Sequence, residues 1–244
     1  MDCRLLIDPP APGAWNMALD EALLEQASRD GGLCWRFYRW AEPTLSLGYF
    51  QAYGDRSQHS SSRDCPLVRR LTGGGAILHD REITYSLAVP AGNRLARGRD
   101  QLYRLVHGAL IAALAEFSLP ATLCTAAAPS GEEPFLCFQR RTPSDVLIGS
   151  RKIAGSAQRR RRGAVLQHGS VLLRRSMAVP ELPGLEDLRG KPITAEELLP
   201  AWLDRLAATL ELRFLPATAS QQEEKDAHQL VAQRYSQTSW NALR

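Results

Sequence analysis

The chain has 244 residues, 44% hydrophobic and 23% charged, with a formal net charge of +4, an ordinary globular composition whose length suits one large domain or two small ones. The opening MDCRLLIDPPAPGAW holds no apolar run of signal-peptide length, and the longest apolar stretch, near 110–117, is far short of a bilayer, so secretory and membrane classes are excluded and a cytoplasmic protein is expected. Cys3, Cys34, Cys65, Cys124 and Cys137 are an odd count with no C-x-x-C pair, which excludes a disulfide framework and a zinc site; no metal is expected.

In chain order, residues 3–8 read as a strand and 14–29 as a helix, with Met17, Leu19, Leu23 and Leu24 on one face and Gly31-Gly32 as its stop. Strands follow at 34–40, 44–50, 66–71, 76–79 and 83–90, β-branched or aromatic-rich runs separated by turn-forming breaks. The serine-heavy segment 51–65 reads as a surface loop or short helix. A second helix is expected over 99–118 and a mobile loop over 125–134 (TAAAPSGEEP). FLCF (135–138), DVLIGSRKI (145–153) and GAVLQHGSVLLR (163–174) then read as strands.

Two helices close the chain. Thr194 with Glu197 spells a capping box, Ile193 and Leu198 are placed for a hydrophobic staple, and Ser220 with Glu223 repeats the box. Pro200 is expected to kink or reset the first of these helices. No internal repeat is visible, and the pattern argues an α+β fold with mixed, largely antiparallel sheets and flanking helices, residues 1–244 forming one domain closed by 194–244.

Two stretches carry the chemistry. In Arg69-Arg70-Leu71-Thr72-Gly73-Gly74-Gly75-Ala76-Ile77-Leu78-His79-Asp80, three glycines strip side chains from a turn, so a ligand can lie against main-chain amides while Arg70 and His79 converge on it. The plain alternative is a tight hairpin. The second stretch is Arg151-Lys152-Ile153-Ala154-Gly155-Ser156-Ala157-Gln158, followed by Gln167-His168-Gly169-Ser170. Its small residues leave room for a slim chain, and Lys152 adds an ammonium. The chain holds 27 arginines but only three lysines, Lys152, Lys191 and Lys225, and Lys152 follows directly on Arg151, so this position favours a compact amine. A solvated strand lysine, and a structural histidine at 168, remain the plain readings. The run Arg159–Arg162 reads as a solvated hairpin tip, or as a contact for an acidic partner.

Together RRLTGGGAILHD and RKIAGSAQ with the downstream QHGS resemble the catalytic domain shared by lipoate protein ligases and octanoyltransferases, with biotin ligases as more distant relatives. The likeness runs from Asn16-Met17-Ala18-Leu19-Asp20-Glu21 through Ser46-Leu47-Gly48 to Arg234-Tyr235-Ser236 and Trp240-Asn241. It implies an acyl tunnel lined by the glycine segments, including Gly73, Gly74, Gly75 and Gly155, with Arg70, Thr72, Ile77, His79, Ala157 and His168 in the same pocket and Lys152 at the acyl carbonyl. Cys137, fifteen residues before Lys152, looks like the acyl-accepting cysteine of the octanoyltransferase branch, and Arg81-Glu82-Ile83-Thr84-Tyr85-Ser86 leans the same way. The Asn-Asp pair typical of ligases before the lysine is missing, with Ser144-Asp145 nearby instead. Two features run against that branch: a full glycine triplet, where those transferases often have arginine at position 75, and Gln139-Arg140-Arg141 after Phe138.

The expected reaction passes an octanoyl or lipoyl group from an acyl carrier protein thioester to Cys137, and from Cys137 to a lysine of a lipoyl-domain protein, glycine-cleavage H protein or a 2-oxoacid dehydrogenase E2. No cofactor is expected on this reading. The rival is an ATP- and Mg-dependent lipoate ligase in which Lys152 holds an acyl-adenylate. A nucleic-acid-binding domain has only the basic charge in its favour, and no nucleic-acid or membrane partner is expected.

Overall fold

The computed structural model describes residues 1–30, 32–126 and 134–244; most of the expected loop at 125–134, and Gly31 of the helix stop, lie outside them. In chain order the elements are β1 (Asp2–Ile7), α1 (Gly13–Asp30), β2 (Cys34–Tyr38), β3 (Thr44–Leu47), β4 (Leu67–Arg69), β5 (Ile77–His79), β6 (Glu82–Val89), α2 (Arg99–Glu116), β7 (Ala121–Leu123), β8 (Val146–Ile148), β9 (Arg151–Arg161), β10 (Ala164–Leu172), α3 (Leu185–Arg189), α4 (Ala195–Leu210), β11 (Arg213–Pro216), α5 (Gln221–Leu230) and α6 (Thr238–Asn241). Two short 3₁₀ turns, Tyr53–Gln58 and Ser60–Ser62, fill the serine-heavy segment. No helix among the described residues is long and apolar enough to cross a membrane.

Eight strands form the main sheet in the order β11-β1-β2-β6-β10-β9-β8-β7, parallel across β11-β1-β2 and antiparallel from β2 onward. A small sheet, β4-β3-β5, pairs β3 parallel to β4 and antiparallel to β5. The mixed, largely antiparallel α+β class expected from the sequence is what the chain adopts.

Alternation along the central strands separates two faces of the main sheet. Trp35, Phe37, Ile83, Tyr85, Leu87 and Val165 face a core shared with α2 and α4, where the Trp35 ring stacks on Tyr85 and Phe37 packs on Trp202. The opposite face, covered by α1 and α5, carries Leu6, Cys34, Ala88 and Leu166, but also buried Arg36, Glu82, Thr84, Ser86, His168 and Ser170. Polar groups at every second position of a dry sheet face need partners, and this half of the sheet becomes the floor of the site.

Four expectations are corrected. FLCF is not a strand: Ala76 N–H donates to Phe135 O and Cys137 N–H to Ala76 O, after which the chain turns into one 3₁₀ turn at Cys137–Gln139. DVLIGSRKI is two strands, because Gly149 at φ 57° with Ser150 closes a tight turn between Ile148 and Arg151. The arginines at 159–162 are a solvated hairpin tip only in part, Arg160 and Arg162 being exposed while three of the four are engaged. Arg161 pairs with Glu21 and Glu25, Arg160 donates to Ala96 O and Gly98 O, and the Arg159 guanidinium lies 5.4 Å from the Tyr49 ring centre, which leaves Arg162 with Gly163 as the turn itself. Pro200 sits inside α4, which runs unbroken from Ala195 to Leu210.

Both capping boxes form as spelled, Thr194 Oγ1 accepting from Glu197 N–H and Ser220 Oγ from Glu223 N–H, with each glutamate returning the bond. Glu223 also accepts two hydrogen bonds from Arg4 at 2.6 and 2.8 Å, tying α5 to β1. Burial pushes its carboxyl up, but the bonds from Arg4 and from the Ser220 backbone outweigh that and hold it below the usual glutamate range. Glu223→Gln is therefore expected to cost about 1–2 kcal/mol in denaturant unfolding at neutral pH. The folded pKa is the depressed one, so this contribution is complete above the ordinary glutamate pKa and disappears as pH falls through the folded value. A difference from the parent protein that stayed constant from pH 7 to pH 3 would refute the assignment.

Candidate active site

The small sheet lies over the polar face of the main sheet, and a cavity of about 200 Å³ opens between them. Its floor comes from β2, β6 and β10 (Tyr38, Thr84, His168, Ser170), one wall from β9 (Lys152, Gly155, Ser156, Ala157) and the roof from Gly73, Gly74, Ile77 and His79, with Met17 of α1 at one side. Cys137, Phe138, Arg140, Thr142 and Asp145 enter from the loops before β8. Of the sequence-expected residues, Arg70, Gly73, Gly74, Ile77, His79, Cys137, Lys152, Gly155, Ala157 and His168 line this one cavity.

Thr72 and Gly75 do not line it. Thr72 Oγ1 stands 2.6 Å from His168 Nε2 and acts through that ring, while the Gly75 carbonyl accepts from Arg70 at 2.7 Å and the Arg140 guanidinium packs against its bare Cα. The turn needs glycine for a second reason. Gly74 has φ 93°, and its carbonyl rests on Gly48, where any side chain would collide with it.

Each charged or titratable group on the walls has a fixed partner. Arg70 is buried, donating to Ser46 O and Oγ and to Gly73 O and Gly75 O; burial lowers its pKa to about 10, still a cation at neutral pH. His79 sits between Ser46 Oγ (2.8 Å) and Glu82 Oε1 (2.7 Å), stacked 3.9 Å from Trp40. Burial pushes it below the usual histidine range despite Glu82, so it is neutral at pH 7, with Nδ1–H donating to the carboxylate and Nε2 accepting from Ser46. His168 donates from Nδ1 to Asp20 at 3.0 Å, which leaves Nε2 to accept from Thr72.

At the other end of the cavity Lys152 Nζ lies 2.9 Å from Asp145 Oδ2, 3.3 Å from Cys137 O and 3.5 Å from Cys137 Sγ. Burial would raise the Cys137 thiol, yet the charges of Lys152 and Arg70 outweigh it and hold the pKa below the ordinary thiol range. For Lys152 the signs reverse: burial lowers it, and Cys137 with Asp145 more than restore the ammonium. Cys137 and Lys152 thus form a close sulfur–ammonium pair at the wall of a slot of small residues, an arrangement in which the positive charge favours the thiolate. Gly155 makes room for that pair, since a methyl group there would lie 2.6 Å from Lys152 Cε.

Asp145, Arg140, His107 and Ser156 were not singled out as site residues from the sequence. His107, on α2, sits between Ser144 O and Ser156 Oγ behind the wall. The available signal was an acid two residues after Pro143 and immediately before an apolar strand, a place where a carboxylate caps a turn more often than it serves a site.

Residues 12–181 match the lipoyl protein ligase A/B catalytic domain family. An octanoyltransferase LipM of Kyrpidia tusciae is 34% identical over 98% of this chain and 97% of its own. Among solved structures, a lipoate-protein ligase A bound with ATP superposes with a TM-score of 0.79 at 24% identity, over 99% of both chains. The bi-partite lipoate protein ligase of Thermoplasma acidophilum, from a study of that ligase and its E2 lipoyl domain, superposes at 0.77 and 24% identity over 100% of this chain and 98% of its own. At that identity the two structures speak for the fold alone.

Proposed function

Because the chain belongs to the lipoyl protein ligase A/B catalytic domain family, we propose that it moves an octanoyl group, through a Cys137 acyl-enzyme, from a carrier-protein thioester to a lysine of a lipoyl-domain protein. It is an octanoyltransferase, and the observation that carries this reading is the 3.5 Å approach of Lys152 Nζ to Cys137 Sγ at the wall of the cavity. An adenylating ligase has no need of a nucleophilic thiol, whereas a transferase working from a thioester does.

The Cys137 thiolate attacks the donor's thioester carbonyl, the new S–C bond forms and the donor sulfur departs. The acyl chain lies along Gly155–Ala157 beneath Gly73 and Gly74, and Lys152 stabilises the negative charge that gathers on the carbonyl oxygen. The acceptor's amine then attacks the Cys137 thioester. Neither ATP nor a metal enters these steps. Free octanoate and lipoate lack the activated carbonyl and would not load the cysteine. The donor is read as octanoyl acyl carrier protein and the acceptor as a lipoyl domain, such as glycine-cleavage H protein or an E2. The helices after residue 194 are read as part of the same unit, because Arg234 and Tyr235 bond to Glu21 of α1 and Asn241 bonds to Arg69.

Intact-protein mass spectrometry after mixing the enzyme with octanoyl carrier protein, without ATP, tests the reading. One octanoyl adduct is expected on the parent enzyme and none on Cys137→Ala. An unloaded parent enzyme that becomes active only with ATP and free acid would make the protein a ligase and return Cys137 to a structural role.

A further inference from the structure

Lys152 is held by two anions, and acylation removes one of them. In the free enzyme its ammonium touches the Asp145 carboxylate and the Cys137 sulfur. Once Cys137 carries a thioester, the sulfur is uncharged and Asp145 remains. Lys152 is only 5% exposed, and an ammonium that dry without a counter-ion sheds its proton. The other groups facing this corner offer it no negative charge: Arg70 and Arg140 reach Cys137 as cations, and His107, from α2 behind the wall, is pushed below the usual histidine range by burial. Asp145 is the one carboxylate in contact with Lys152 among the described residues.

The carboxylate is also anchored independently of the lysine. Thr142 donates to Asp145 Oδ2 from its backbone N–H at 2.7 Å and from its hydroxyl at 3.0 Å, so the loop before β8 fixes the charge whether or not Cys137 is acylated. Gly155 leaves both partners their space, since a methyl group there would press on Lys152 Nζ at 2.9 Å and on Asp145 Oδ1 at 3.0 Å.

We propose that Asp145 keeps Lys152 an ammonium through the whole cycle, so that Lys152 serves both half-reactions as a fixed positive charge and transfers no proton. Asp145 is on this account a positioning residue, acting through Lys152, and the inference rests on the acyl-enzyme reading above. In the loading step the Cys137 S–C bond forms, the donor S–C bond breaks, and the donor thiolate takes its proton from water. In the unloading step the neutral amine of the acceptor lysine forms the N–C bond, the Cys137 S–C bond breaks, and the amine nitrogen passes its surplus proton to water. Cys137 leaves as a thiolate and recovers its pair with Lys152. A general-base lysine would have to be neutral when the amine attacks; a lysine paired with Asp145 is not.

The scarcity of lysine makes the test direct. With Lys152, Lys191 and Lys225 the only lysines, enzyme labelled with ¹³C,¹⁵N-lysine gives three side-chain signals by NMR, and Lys152→Arg identifies one of them. Alkylating Cys137 with iodoacetamide gives the uncharged sulfur of the acyl-enzyme in stable form. In the alkylated parent enzyme the Lys152 signal is expected to remain that of an ammonium at neutral pH. In alkylated Asp145→Asn it is expected to become a neutral amine at about pH 7 or below, and Asp145→Glu is expected to restore the ammonium. A neutral Lys152 at about pH 7 in the alkylated parent would overturn the proposal. So would an ammonium unmoved in the alkylated Asp145→Asn variant. Should that variant fail to fold, the alkylated parent enzyme still decides between the two protonation states. The octanoyl adduct on Cys137 is read separately, so a failure of the acyl-enzyme and a failure of this charge assignment cannot be confused.

Discussion

Replacing Lys152 with methionine is expected to slow octanoyl loading of Cys137 by about 10²–10³-fold at neutral pH, the range measured when one charge-stabilising donor is taken from a developing oxyanion. Two losses combine. The ammonium at 3.5 Å from Sγ is the largest of the influences holding the Cys137 pKa down against burial, and the same charge faces the carbonyl oxygen during attack. The sign of the pH effect follows. In the parent enzyme the thiol is depressed, so the loading rate reaches its plateau at a lower pH than an ordinary thiol would allow and falls as pH drops through the lowered thiol pKa. In Lys152→Met burial dominates, the thiol rises, and the rate keeps climbing with pH where the parent is flat. Stopped-flow loading from pH 5 to pH 9 reads both effects. A loss below about fivefold, with the profile unmoved, would show that Lys152 does not activate Cys137. Methionine keeps the side chain out to Cε, the atom nearest Gly155, so the slot there stays filled.

The parts of this site that are legible in the sequence are those written in consecutive residues. The glycine turn, the small-residue strand with Lys152 and the QHGS strand each carry their meaning locally, and the two capping boxes fix where α4 and α5 begin. What joins them is not local. Cys137 reaches Lys152 because Ala76, just past the glycine turn, makes a single bridge with Leu136 and then lets the chain turn; FLCF looks like a strand because two phenylalanines flank it, yet its backbone pairs with another chain segment only at that one bridge. Asp145 meets Lys152 because Gly149 and Ser150 double the chain back, a turn hidden inside an apolar run.

The polar floor was readable in principle. Thr84 and Ser86 alternate with Ile83, Tyr85 and Leu87, as His168 and Ser170 do along β10, and that period places hydroxyls and imidazole on the side away from the aromatic core. Arg36 carried no such signal. Between Trp35 and Phe37 an arginine reads as the solvent face of a strand, and it is wholly buried instead because Asp20 and Asn16 of α1, with Asp8, surround its guanidinium.

Asp20→Asn is expected to be the most destabilising single change in this molecule. Asp20 accepts from Arg36 Nη1 (2.9 Å), Tyr38 Oη (2.9 Å), Ser86 Oγ (2.7 Å) and His168 Nδ1 (3.0 Å), which between them join α1 to β2, β6 and β10. Burial pushes its carboxyl up, but His168, the Arg36 charge and Ser86 together hold it below the usual aspartate range. An asparagine cannot accept four bonds, and it leaves the Arg36 guanidinium, fully buried, with one remaining carboxylate, Asp8, whose side chain is 21% exposed. Breaking one side of a buried pair costs about 3–5 kcal/mol, which in a domain of this length lowers Tm by roughly 10 °C. Asp8→Asn, at the wetter end of the same arginine, is expected to lower it by less than half as much. Since Asp20 also fixes the tautomer of His168, which in turn receives Thr72, the glycine turn loses one of its anchors to the floor, and acyl binding should weaken even at temperatures where Asp20→Asn is folded. Calorimetry on the two variants separates these effects from loading kinetics. A fall in Tm under about 3 °C for Asp20→Asn would mean that Arg36 finds other partners, and that the polar face beneath the slot is less tightly bound than its four hydrogen bonds require.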